Sequence, residues 1–285
     1  MSRIAYVAGR YVPHCEGSVS IDDRGLLFAD SVYEVCEILD GRLVDADAHI
    51  RRLGRSLAAL SMPWPVSAAA LPRILREVVA RNRVRDGAVY LQVTRGATRR
   101  DFLYSPYALA PTLIVTAHAI DRAAGEAQAA AGIAVISMPD IRWARVDIKT
   151  TGLLPNVLAK EAARTKGARE AWFVAEDGTV TEGASSNAWI VTREGRLVTR
   201  PAAGGILGGV TRATLIRLIE AEGLPFEERA FTIAEAQAAS EAFNSAATAL
   251  VMPVVAIDGQ QVGSGRPGPV ATGLRARFHR HATLV

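Results

Sequence analysis

The pair Asp40-Gly41 interrupts a run of β-formers where the chain has little choice but to reverse. Ser31 to Leu39 reads Ser-Val-Tyr-Glu-Val-Cys-Glu-Ile-Leu, and Arg42-Leu43-Val44 resumes the extended pattern. Asp-Gly accepts the positive φ angles of a tight hairpin, so the two runs are expected to pair antiparallel. Alternation puts Tyr33, Val35 and Glu37 on one face, a mixture that suits a pocket wall as well as a half-wet sheet. A short strand is expected over residues 4–12. Behind the hairpin, Asp47 reads as the N-cap of a helix from about Ala48 to Leu60, with Ile50, Leu53, Leu57 and Leu60 on one stripe and Arg52 close to it. A second helix from about Ala68 to Arg83 carries Leu71, Ile74, Val78 and Val79, and strands are expected over 88–94 and 112–120. Hairpin, helices and returning strands make one α+β unit.

The chain has 285 residues, enough for a second unit. Asp121 to Ala131 is alanine-rich with little periodicity and reads as an interdomain linker. The division is therefore a small N-terminal α+β domain (1–120), a linker (121–131) and a larger domain (132–285) with a strand-rich core. In that larger domain, strands are expected over 133–137, 171–175, 186–191, 196–200, 241–245 and 251–257. Helices are expected over 156–166, where Gly167 serves as the C′ glycine, after Val210, and over 270–281.

Net charge is +4, but the arginines are dispersed among acids, which argues for a solvated surface and against nucleic-acid binding. The two cysteines, Cys15 and Cys36, are too few for a disulfide framework and read as buried thiols. No metal site is expected; Arg-Phe-His-Arg-His near the end reads as a solvated helix terminus. The start lacks a signal-type apolar run and no segment reaches a membrane span, so no membrane partner and a cytoplasmic location are expected.

The chemistry begins with scarcity. Of 33 basic residues only three are lysines, Lys149, Lys160 and Lys166. Lys160 and Lys166 sit in a helical pattern beside Glu161 and Arg164, an ordinary solvated face, whereas Lys149 stands among Thr-Thr-Gly-Leu-Leu. An amine can lose its proton and attack a carbonyl; a guanidinium cannot. Glu182 follows in Thr-Glu-Gly, at a strand-to-turn position, and Gly204 to Arg212 is a glycine-rich loop feeding a helix start, where backbone N–H groups can converge on an anion. Each feature alone has a commonplace structural explanation. Together they match the needs of pyridoxal 5'-phosphate: an amine for its aldehyde, a carboxylate for its ring nitrogen and a seat for its phosphate.

Five segments carry a resemblance: residues 23–35 (Asp-Arg-Gly-Leu-Leu-Phe-Ala-Asp-Ser-Val-Tyr-Glu-Val), 49–53 (His-Ile-Arg-Arg-Leu), 147–150 (Asp-Ile-Lys-Thr), 179–187 (Thr-Val-Thr-Glu-Gly-Ala-Ser-Ser-Asn) and 206–212 (Ile-Leu-Gly-Gly-Val-Thr-Arg). In order and over nearly the whole chain, they resemble the class IV, fold-type IV pyridoxal-phosphate aminotransferases, most nearly the D-amino-acid transaminases. The resemblance implies Lys149 as the catalytic lysine bonded to the cofactor and Glu182 as partner of the ring nitrogen. It puts Arg52, Gly209, Val210, Thr211 and Ala247 around the phosphate, Leu207 against the ring and Tyr33 in the substrate pocket. It also implies a homodimer whose site lies between two domains and is closed partly by the other subunit.

Two positions depart from the family. The partner-donated Arg-x-His motif that traps the substrate carboxylate becomes Arg100-Asp101-Phe102, leaving Arg99 or Arg100 as the donor; the hydroxyl-rich turn becomes Ser245-Ala246-Ala247-Thr248, so two donors become methyls. The implied activity is transfer of an amino group from a D-amino acid such as D-alanine to a 2-oxo acid by a ping-pong mechanism. Branched-chain L-amino-acid or (R)-amine transamination, aminodeoxychorismate lysis and a non-catalytic pyridoxal-phosphate carrier are the rivals.

Overall fold

A computed structural model describes residues 3–105, 107–203 and 205–285. The chain divides into two compact units. One takes the chain up to Asp121 together with Ile148–Gly152 and Thr283–Val285; the other takes Arg122–Asp147 and Leu153–Ala282. Both mix helix and strand, as the α+β reading requires.

The first unit contains β1 (Ile4–Val7), β2 (Arg10–Pro13), α1 (Arg24–Phe28), β3 (Ser31–Leu39), β4 (Arg42–Leu43), α2 (Ala46–Ala59), α3 (Leu71–Asn82), β5 (Gly87–Thr94) and β6 (Thr112–Ala119). The strands form an antiparallel sheet in the order β2-β1-β6-β5-β3-β4. Asp40 (φ 50°) and Gly41 (φ 77°) both adopt the left-handed region, the signature of a type I′ turn, and set Leu39 opposite Arg42. The single strand expected over 4–12 is two, because Ala8 and Gly9 also turn left-handed. Period-two alternation buries Val32, Cys36 and Ile38 of β3, Val89, Leu91 and Val93 of β5 and Leu113 and Val115 of β6 against Leu53 and Leu57 of α2 and Leu71, Leu75 and Val78 of α3. Each such leucine contributes about 1.5–3 kcal/mol of apolar burial. Helix α2 starts earlier than expected: Asp45, not Asp47, holds the N-cap, and Asp47 sits in the first turn where its charge meets the positive end of the helix. Cys36 is buried as read, whereas Cys15 is exposed.

The second unit contains α4 (Arg122–Ala131), β7 (Ile133–Pro139), α5 (Leu154–Thr165), β8 (Glu170–Val174), β9 (Val180–Gly183), β10 (Asn187–Val191), β11 (Leu197–Thr199), α6 (Val210–Ala221), β12 (Phe226–Glu228), α7 (Ile233–Ala238), β13 (Glu241–Ala246), β14 (Leu250–Ile257), β15 (Gln260–Gln261) and α8 (Pro269–His281). Its mixed sheet runs β12-β11-β10-β13-β14-β7-β8-β9, with β15 paired to β14. Strand β8 is buried on both faces: Trp172 joins Val180, Ile190 and Phe231, while Ala171 and Phe173 pack with Ala159 and Ala163 of α5. Gly167 (φ 73°) follows the end of α5, as its position suggested.

Two segments depart from the sequence division. Residues 122–131, read as a linker, form α4, whose alanines favour helix and bury Ala129. Ile148–Gly152, placed by sequence in the larger domain, counts with the first unit, because its backbone bonds to β3 and Ile148 enters that core. No helix among the described residues is long and apolar enough to cross a membrane.

The alternation that buries Val32 and Cys36 also buries Glu34, at 0% exposure. A carboxylate there must be paired. Arg52 of α2 donates Nε to Glu34 Oε1 and Nη2 to Oε2, both at 2.7 Å, and His49 Nδ1 lies 2.7 Å from Oε2. Burial alone would raise the Glu34 pKa, but the Arg52 charge and the Arg52 and His49 hydrogen bonds hold it at about 2. Its folded value is thus depressed below the ordinary 4.5, so its stabilisation is present above pH 4.5 and is lost as pH falls through about 2. Glu34→Gln, which strands the Arg52 charge, is expected to cost about 3–5 kcal/mol at neutral pH. The cost should shrink as pH falls from about 4.5 toward 2; urea unfolding of both proteins across that range checks it, and a pH-independent deficit would contradict this account.

Candidate active site

In the first unit, Lys149 lies on a short extended stretch stitched to β3. Tyr33 N donates to Lys149 O at 3.0 Å, Thr151 N donates to Ser31 O at 3.2 Å, and the Ser31 and Thr151 hydroxyls bond to each other. From α2, Ser56 Oγ accepts the Lys149 N–H at 3.3 Å. These bonds fix the main chain at Lys149 itself and two residues beyond it, so the amine is aimed by structure, not by a free loop. Lys149 Nζ stands 4.1 Å from the centroid of the Tyr33 ring, a cation–π distance.

Register places Gln92 opposite Tyr33 and Tyr90 opposite Val35, on the same sheet face. The Tyr90 ring lies 5.7 Å from that of Tyr33; its hydroxyl donates to Gln92 Oε1 at 2.8 Å, and Gln92 Nε2 donates to Ser31 Oγ at 3.4 Å. Burial, then the neighbouring Tyr33, pushes the Tyr90 pKa up to about 12, which keeps its phenol a donor at neutral pH. Lys160, by contrast, spends its amine on Arg169 O and Glu170 at the surface of the second unit.

In the second unit Glu182 stands near the end of β9, and is 5% exposed. Arg142 Nη1 bonds to its Oε1, Asn187 Nδ2 donates to Oε2 at 3.0 Å, and Leu207 N donates to both oxygens at 3.1 Å. Arg142 is held in turn by Asp140, Nε to Oδ1 at 2.9 Å and Nη2 to Oδ2 at 2.7 Å. Burial works against charge on both partners, yet their contact lowers the Asp140 pKa, and Asp140 with Glu182 raises that of Arg142. Asp140 and Arg142 thus remain an ion pair.

Asn187 Nδ2 also donates to Leu207 O at 2.9 Å, tying the loop before α6 to the Glu182 pocket. Gly209 is the N-cap of α6, with no side-chain cap bond; Val210 and Thr211 open the helix and are buried. A Cβ on Gly209 would meet Asn187 Oδ1 at 2.1 Å, so only glycine lets the chain pass that close. First-turn N–H groups lack intrahelical acceptors, and here they follow directly on the carboxylate pocket. At the β13–β14 turn, Ser245 Oγ accepts from Trp189 Nε1 at 2.9 Å, and Ala247 is half-buried beyond it.

Of the expected residues, the structure joins Lys149 and Tyr33 in one cluster, with Arg52 four residues before Ser56 on α2, and Glu182, Leu207, Gly209, Val210 and Thr211 in another. Arg100 and Phe102 lie on an exposed loop of the first unit. Sequence reading missed Ser31, Ser56, Tyr90, Gln92 and Thr151, and also Asp140 and Arg142. Helical spacing from Arg52 could have found Ser56, and the β3–β5 register could have found Tyr90 and Gln92.

A family model described as amino-transferase class IV matches residues 31–257. The D-alanine aminotransferase of Bacillus licheniformis is 42% identical over 262 residues, 92% of this chain and 91% of that protein. That of Staphylococcus haemolyticus is 36% identical, over 97% of this chain and 96% of its own. Among solved structures, the Escherichia coli branched-chain amino acid aminotransferase is similar with a TM-score of 0.91 and 25% identity, covering 98% of this chain and 94% of its own. The T.th. branched-chain amino acid aminotransferase, solved with pyridoxamine 5'-phosphate, has a TM-score of 0.90 and 26% identity, covering 98% and 93%. The chain therefore belongs to the class IV aminotransferases.

Proposed function

We propose that this protein is a pyridoxal-phosphate-dependent transaminase that moves the amino group of a D-amino acid such as D-alanine to a 2-oxo acid by a ping-pong mechanism. The observation that carries the reading is the Lys149 amine, held by its own backbone bonds 4.1 Å from the centre of the Tyr33 ring. The 42% identity to a D-alanine aminotransferase supports the choice of substrate. The residues present fit the cofactor: a positioned amine, a carboxylate ringed by donors, and a helix start that no side chain caps.

Pyridoxal phosphate, when bound, supplies an aldehyde that captures amino groups and a ring that accepts electrons. Lys149 would anchor it covalently and, once the substrate amine takes its place, move the proton from the substrate α-carbon through Nζ. Glu182 would hold a proton on the ring nitrogen; Arg142, Asn187 and Leu207 N hold that carboxylate in place. The phosphate would lie on the Val210 and Thr211 N–H groups and the Thr211 hydroxyl, with Arg52 adding positive charge that Glu34 fixes in direction. Leu207 would pack on the ring, while Gly209 and Ala247 leave it room. Tyr33 would form one wall for the substrate, and Arg100 beside Phe102 would receive its carboxylate. A homodimer in the cytoplasm belongs to the same proposal, supported by the family likeness.

Branched-chain L-amino-acid transamination is the second reading, because the similar solved structures carry that activity in their names. Adding D-alanine to the purified protein should bleach the visible band of bound pyridoxal phosphate, and adding L-leucine should not; the reverse pattern would establish the second reading. Lys149→Ala is expected to lose the band and to lower kcat by about 10²–10⁴-fold, the contribution of a positioned proton carrier. Turnover retained at the wild-type level would remove Lys149 from the mechanism.

A further inference from the structure

We propose that Phe28 and Phe102 form an aromatic seat that orients the Arg100 guanidinium to receive the substrate carboxylate, on a loop that buried Arg24 fixes in place. The inference rests on the transaminase reading above and assigns what Phe28 and Phe102 do for Arg100.

The Arg100 Cζ lies 5.3 Å from the Phe28 ring centroid and 5.7 Å from that of Phe102, and the two rings are 5.5 Å apart at 46°. No ring lies under Arg99 among the described residues. Phe28 ends α1, followed by Ala29 in the left-handed region, so its position is set by the helix. The loop is fixed just as firmly. Arg24 Nη1 donates to the carbonyls on either side of Phe102, Asp101 O at 2.6 Å and Leu103 O at 3.4 Å, and Leu103 N donates to Asp101 Oδ1 at 3.0 Å. Arg24 is paired through Nε with Asp30 at 2.8 Å, and Asp30 also receives Arg95 at 2.7 and 3.0 Å. Arg95 in turn lies 3.8 Å from the centre of the Tyr104 ring. The backbone around Phe102 is therefore anchored to a buried charge network while the Phe102 side chain remains 78% exposed. A side chain so exposed on so fixed a loop is not there to fill a core.

The chemistry of arginine explains the arrangement. A guanidinium is weakly hydrated on its faces and stacks on aromatic rings, whereas its donors lie in its plane and point outward. Rings against the group therefore limit its rotamers and leave the in-plane fork for a bidentate carboxylate. Phe102 offers no hydrogen bond, but it supplies a surface that makes Arg100 ready before substrate arrives.

The test compares Phe102→Leu, Phe28→Leu and Phe102→Tyr holoenzymes. Propanoate serves as a non-reacting carboxylate whose binding is read from its effect on the absorbance of the bound cofactor. Each leucine variant should raise both KM for D-alanine and Kd for propanoate about fivefold, as loss of one exposed cation–π contact would. In each, kcat and Tm should stay close to wild type, and Phe102→Tyr, which restores a ring, should restore both constants. Unchanged KM and Kd in both leucine variants would overturn the proposal, and so would parallel losses of kcat, Tm and cofactor retention. A wild-type protein that ignores D-alanine but binds propanoate less tightly after either leucine change would remove the D-amino-acid reading and leave the seat standing.

Discussion

One buried carboxylate joins the parts of the first unit that matter for chemistry. Glu34 is flanked in β3 by Tyr33, and it grips Arg52 of α2 with both oxygens. The pairing fixes strand against helix at a point with no water to share the load. Everything else at the amine hangs from those two elements. The strand bonds to the main chain of the Lys149 stretch, and the helix, four residues past Arg52, offers Ser56 to the Lys149 N–H. The direction of the amine and of the arginine charge are therefore set by the same bond, and neither depends on a mobile loop.

The second unit solves a comparable problem with donors instead of a buried pair. Glu182 is surrounded by a guanidinium, a side-chain amide and a backbone N–H, drawn from three segments of chain. Arg142 does not cancel the charge of Glu182, because Asp140 claims it with two bonds of its own. The guanidinium is thereby shared between two carboxyl groups and belongs wholly to neither. A basic ring nitrogen placed beside Glu182 would be held protonated, the condition under which such a ring draws electrons from a bond to carbon.

Local chemistry made much of this legible in the sequence. Asp40-Gly41 announced the hairpin, the leucine stripe announced α2, and the scarcity of lysine singled out Lys149. What escaped was set by contacts between distant segments. The pattern of β3 reads as half-wet from Tyr33, Val35 and Glu37, while the acid that is fully buried, Glu34, sits on the opposite face, where only the distant Arg52 accounts for it. From sequence the Lys149 stretch reads as part of the larger domain, because its bonds to β3 cross more than a hundred residues and leave no trace in composition. Alanine-rich residues 122–131 lacked a periodic stripe since they bury little beyond Ala129. Handedness of the substrate lies deeper still. Solved structures named for branched-chain substrates share this fold at 25–26% identity, whereas relatives named for D-alanine reach 36–42%. The backbone is indifferent to the choice, which therefore rests with side chains.

The missing side chain at Gly209 has a consequence for how this protein can vary. Asn187 occupies the space a Cβ would need, and the same amide nitrogen serves Glu182 and the Leu207 carbonyl. Any larger residue at 209 would push that amide away, disturbing the acid and the entry to α6 in one stroke. Two functions that could drift independently are thereby locked to a single codon. Substitution is far less constrained on the exposed Arg100 loop than where β9, β10 and α6 meet.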